Sequence, residues 1–222
     1  MGKIPIQKLK NTVIILLSVY LAISLSGCLI LNSGTDSAGN SEFFEGHREL
    51  TIHENESEGL TAHSYPEIEY VSYDYLPKKS DVIIIGTMKE FLPSKWNTAD
   101  VKRPHDSIED FESNDVIYTD VVITVNEYLK NQLDEDEVIV RILTGTVDND
   151  VSTADYEASF QPGENVLLYL VEDDWKYTKD IGPKHYFVLG SMQGKLTLKD
   201  DGTAVGPHGN ISLSTLVEMI PD

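Results

Sequence analysis

The chain has 222 residues, room for one domain or at most two, and 41% of them are hydrophobic, enough to bury a core. Lys and Arg number 17 against 37 Asp and Glu, so the formal charge is −20 at pH 7. Such a surface repels phosphate backbones and weighs against nucleic acid as a partner; it favours solubility, cation association or a salty medium.

The N-terminus has three parts. Lys3, Lys8 and Lys10 form a positive flank, residues 13–25 are an apolar run broken only by Ser18 and Ser24, and Leu25-Ser26-Gly27-Cys28 follows. Flank and run have the layout of a secretory signal, and the small pair Ser26-Gly27 suits a signal peptidase. The tetrad resembles the lipobox of prokaryotic lipoproteins. That resemblance implies removal of residues 1–27 as a signal peptide and a lipid on the Cys28 thiol. The alternative is an uncleaved anchor helix, since residues 13–31 are mostly apolar and approach the ~20 positions that span a bilayer. Both readings tie the chain to a membrane and place the remainder on the outer face of the cytoplasmic membrane or the cell surface, because the lysines stay inside. Cleavage removes three lysines and no acid, so 17 less 3 leaves 14 basic groups against 37 acidic ones, about −23. Cys28 is the single cysteine, so no disulfide supports the fold.

Residues 28–64 read as a disordered tether, rich in Ser, Gly, Asn and Glu and poor in branched apolar residues. Asn55-Glu56-Ser57 within it, and Asn210-Ile211-Ser212 near the C-terminus, match the N-glycosylation acceptor pattern. The folded domain is expected over 65–222. Ile68, Val71 and Tyr75 fall at helical spacing, and Pro77 is expected to stop that helix. "DVIIIGTMKEFL" (81–92) opens with four branched apolar residues, as in a strand buried on both faces. In "DVIYTDVVITVNEYLK" (115–130), Ile117, Thr119, Val121, Ile123 and Val125 share one face and Tyr118, Asp120, Thr124 and Asn126 the other, the pattern of a half-buried antiparallel strand. Further strands are expected in "EVIVRILTGT" (137–146), "ENVLLYLVED" (164–173) and "HYFVLGSMQGKLTLKDDG" (185–202), the last bent or divided at Gly190 and Gly194. Leu213, Leu216, Val217 and Ile220 predict a short closing helix with Asn210 or Ser212 as its N-cap. The sum is a mainly β domain: a small antiparallel barrel of five to six strands with short flanking helices.

The order "SDVIIIGTM", "VIYTDVVITVNEYLK", "EVIVRILTGTV", "FQPGENVLLYLVED", "YFVLGSMQGKLTL" is similar to a module of uncharacterised secreted and surface proteins of bacteria and archaea. The resemblance covers residues 66–200 and implies an OB-like or netrin-like barrel, with no activity attached. Asn131 departs from it where the module has Gly, and Gly145 stands alone where it has a Gly pair.

Catalytic signatures are missing. No Ser occupies a nucleophile elbow, and Ser191, between Gly190 and Gly194, reads as a strand bend. The six histidines make no metal motif. Asp148, Asp150 and Asp155 in "TVDNDVSTAD" have the oxygen chemistry calcium takes, but lack the EF-hand Gly and Glu, so a solvated loop is the preferred reading and no cofactor is expected. The long insertion 93–115 gathers Lys95, Trp96, Lys102, Arg103 and His105 into a basic, aromatic island in an acidic chain. Long loops with Trp and Arg are favoured binding elements, so Trp96, Lys102, Arg103 and His105 are the candidate ligand contacts; the competing reading is that Lys102 and Arg103 only neutralise acidic neighbours. Together these features suggest a surface-anchored binding module for an envelope protein or glycan. The alternatives are an extracytoplasmic hydrolase using loop carboxylates and, by the netrin-like resemblance alone, a protease-inhibitor-like module.

Overall fold

The computed structural model describes residues 48–54, 59–66 and 68–221. The expected signal segment, Cys28 and Asn55 lie outside the described residues. The tether boundary needs correction, because strands β1 (Arg48–Glu54) and β2 (Leu60–Pro66) pair antiparallel inside the stretch assigned to it. Low hydrophobicity misled there: β2 gains its order from a parallel pairing with β8 (Asp150–Ala154), a contact some ninety residues distant that composition does not report. No helix among the described residues is long and apolar enough to cross a membrane.

The centre is a closed barrel of five strands. β3 (Val82–Phe91), β5 (Ile117–Lys130), β6 (Glu137–Ile142), β9 (Asn165–Glu172) and β10 (Tyr186–Val188) run in the spatial order β3-β5-β6-β10-β9, and β9 returns to β3. All neighbours are antiparallel except β6 and β10, whose pairing at Val140 and Tyr186 is parallel. The expected antiparallel barrel is therefore closed by one parallel contact. Three register shifts between β3 and β5 bend the sheet.

The long apolar runs follow from two cores, one on each side of the barrel wall. Val82, Ile84, Val121, Ile123, Val140, Leu168 and Leu170 fill the inside. Ile83, Leu167, Tyr169, Val171 and Phe187 face outward yet are equally buried, beneath Val71, Leu76, Leu196, Ala204 and Leu216. Those covering residues come from the strap 68–75, the one-turn helix α1 (Leu76–Lys79), β11 (Lys195–Leu198), β12 (Thr203–Gly206) and α2 (Leu213–Glu218). β10 and β11 pair in succession with the same edge of β9, the first at its C-terminal half and the second at its N-terminal half. The expected bend between them is a 3₁₀ turn, Ser191–Gly194, entered through Gly190 at φ 67°. β13 (Gly209–Ser212) ends the sheet, and the Ser212 side chain caps α2 by accepting from the Thr215 N–H.

Two expectations change. Residues 68–75 form no helix; Gln193 takes the Val71 N–H on its Oε1 and donates from Nε2 to the Glu69 carbonyl, so the strap is held by a side chain. Pro77 opens α1 instead of ending a helix, since a first turn has no use for its missing N–H. The first half of β5 is buried on both faces, not one, because residues 173–185 fold across Tyr118 and Asp120. The departure at Asn131 also has a local reason: its φ is 52°, a left-handed conformation that Asn tolerates nearly as Gly does.

Candidate functional site

The 92–116 connection is pinned at both ends. Its strand β4 (Lys95–Trp96) pairs with the start of β5, and the Asn97 side chain accepts from the Val116 N–H and donates to the Asn114 carbonyl. Trp96 is buried and packs on Phe111 with ring centroids 5.6 Å apart. Beyond it a tight turn closes, in which the Val101 N–H reaches the Thr98 carbonyl and the Thr98 hydroxyl donates to the Lys102 carbonyl. That turn holds Val101 at φ 57°, rare for a β-branched residue, with its side chain 41% exposed. Arg103 points back over Phe111 and donates to the carbonyls of His105 and Asp106.

A second element meets this loop. β7 (Gly145–Val147) and β8 are joined by the two-residue turn Asp148-Asn149, with Asp148 at φ 51°. Asp150 beside it is buried, and its Oδ1 accepts from the Leu60 N–H at 2.9 Å and from Arg103 Nη1 at 3.3 Å. Gly59 sits so close to this turn that a Cβ there would stand 2.1 Å from the Asn149 carbonyl oxygen, so only Gly fits. One carboxylate thus ties β2, the hairpin and the loop together. Between them lies an open cleft of about 440 Å³, lined by Trp96, Val101, Lys102 and Arg103 on one side and by Asp148 and Asp150 on the other.

The structure therefore joins two groups of candidates that the sequence kept apart. His105 turns away to Asp115, with Nε2 and Oδ2 3.3 Å apart. Asp155 is exposed and lies 3.6 Å from His63, and Asp150 takes both of its donors on Oδ1. Trp96 lines the cleft but is only 3% exposed, so most of its ring supports the loop from beneath. Lys102 and Asp148 are exposed and take part in none of the ion pairs among the described residues. No three His, Cys, Asp or Glu side chains among the described residues group as metal ligands.

Sequence reading missed a buried ionic clamp. Arg141 has no exposed surface; its Nε and Nη2 meet Asp120 Oδ1 and Oδ2 at 2.7 and 3.0 Å, and its guanidinium lies 3.8 Å from the Tyr118 ring centroid. Nη1 donates to the carbonyls of Thr178 and Ile181, which fastens the 173–185 loop over β5 and β6. At the base of that loop Asp173 accepts from the Trp175 N–H and meets His185 Nε2 at 2.7 Å, while His185 Nδ1 donates to the Pro183 carbonyl. The signal was a charge set among apolar residues in each of two strands, Asp120 in the first half of β5 and Arg141 near the end of β6, which stand opposite each other in register.

No known family model, curated protein or solved structure matches the chain. Among the described residues, the cleft offers a cation and a carboxylate outside any ion pair, Lys102 and Asp148, and the exposed apolar Val101.

Proposed function

We propose that this chain is a lipid-anchored surface protein whose barrel displays the cleft between residues 96–103 and 147–150 as a binding site for an envelope protein or glycan. One observation carries the binding half: a loop and a hairpin turn distant in sequence are locked together through Asp150, Arg103 and Leu60, yet leave Lys102 and Asp148 uncommitted toward the same cleft. A rigid frame holding free polar groups is what selective binding needs. The anchor half rests on the lysine flank, the apolar run and Leu25-Ser26-Gly27-Cys28. The finer description of the barrel as OB-like is supported by its five strands and by the exchanged spatial order of the last two.

The test has two arms. Expressed in a bacterial host and fed a labelled fatty acid, the full chain should incorporate label and lose residues 1–27, and Cys28→Ser should abolish both; an unlabelled chain of unchanged mass would sink the lipid anchor. In a pull-down from native membranes, Lys102→Glu should weaken partner capture with an unchanged melting temperature, since the residue is exposed and in none of the ion pairs among the described residues. Undiminished capture by Lys102→Glu and by Asp148→Lys would place binding elsewhere.

A further inference from the structure

We infer that the cleft takes a small zwitterion with an apolar flank, the chemistry of a free amino acid or of a short peptide; this rests on the reading of the cleft as a binding site. Its charges balance locally, Lys102 and Arg103 against Asp148 and Asp150, in a chain of net charge −20. Arg103 pairs with Asp150 at 3.3 Å, whereas Lys102 on the loop and Asp148 on the hairpin turn are in none of the ion pairs among the described residues and are the charges offered to a ligand. A simple cation gains from the acidic surface and from Asp148 but leaves Lys102 unmatched in the cleft. A simple anion meets the acidic field of the whole molecule. A ligand carrying both charges, its ammonium toward Asp148 and its carboxylate toward Lys102, gains at both ends and opposes neither.

Val101 supplies the apolar part. Its side chain lines the cleft at 41% exposure while its backbone is held at φ 57° by the Thr98 hydrogen bonds. Strained backbone persists where the surroundings over-determine it and collects at ligand contacts. Here the strain keeps an aliphatic side chain and the adjoining ammonium at the mouth of one cleft. The volume of about 440 Å³ fits a molecule of dipeptide size.

The experiment uses the full chain in detergent micelles, with glycyl-L-leucine, its N-acetyl form, its C-terminal amide and N-acetylglucosamine titrated separately by calorimetry. The free dipeptide should bind, and blocking either end should weaken binding by roughly two- to fivefold, the scale of exposed charge contacts. Lys102→Met should erase the difference between the dipeptide and its amide, and Asp148→Asn the difference between the dipeptide and its N-acetyl form. Equal binding of the blocked and free peptides overturns the zwitterion, as does binding of the sugar alone, which would still leave the cleft a binding site. If no probe binds and neither variant alters capture from membranes, both the zwitterion and the binding site fail.

Discussion

Arg141 shows how much depends on a single residue. A guanidinium with no exposed surface carries a large desolvation penalty, offset here by two bonds to Asp120, two backbone carbonyls and the face of Tyr118. Removing one partner strands the other charge in the interior. Arg141→Met should therefore cost about 3–5 kcal/mol in denaturant unfolding. Adding Asp120→Leu should recover most of that loss, since an apolar pair of similar volume replaces a buried ion pair at little cost. A double variant as unstable as the single one would show that Arg141 acts through the 173–185 carbonyls and not through Asp120. The sequence exposed each charge but not the pair, because an alternating strand assigns Asp120 to solvent until the register with Arg141 is known.

At the scale of elements, burial of both faces explains the apolar runs that open β3 and fill β9: one face fills the barrel and the other meets the strap and the C-terminal strands. At Gly86 β3 runs so near β5 that a Cβ would stand 2.6 Å from Ile123 Cγ2 and 2.8 Å from the Thr124 carbonyl oxygen. Backbone cannot yield there as a flexible side chain would. Gly86→Ala should destabilise the fold by about 1–3 kcal/mol, seen as a lower urea midpoint with unchanged slope. The bend at Gly190 and the cap at Ser212 were legible because each is a local backbone requirement. The helix expected before Pro77 was not, since Gln193, distant in sequence, satisfies that segment's backbone and removes the need for helical bonds.

For the molecule as a whole, the tyrosines make stability depend on alkaline pH. Burial, with a smaller push from nearby Tyr73, raises the Tyr169 hydroxyl from 10.0 to about 12. The folded state therefore disfavours its ionisation. The contribution is fully present below pH 10 and is lost as pH rises from there through about 12, because the unfolded chain ionises first. Two pK units correspond to roughly 2–3 kcal/mol. Tyr169→Phe should flatten the fall in melting temperature over that window while leaving stability at pH 7 nearly unchanged, since the hydroxyl has no hydrogen-bond partner among the described residues. An identical alkaline fall in the variant would assign it to other tyrosines. By itself the amino-acid sequence determined a mainly β domain, most strand positions, the bend, the closing helix and an acidic surface, because side-chain periodicity and backbone-specific residues act over a few positions. Only the tertiary structure decided the parallel β6–β10 closure, the cover over β5 and the meeting of Lys102 with Asp148 at one cleft. Those depend on which distant surface satisfies a given buried face or polar group, and no local pattern encodes that choice.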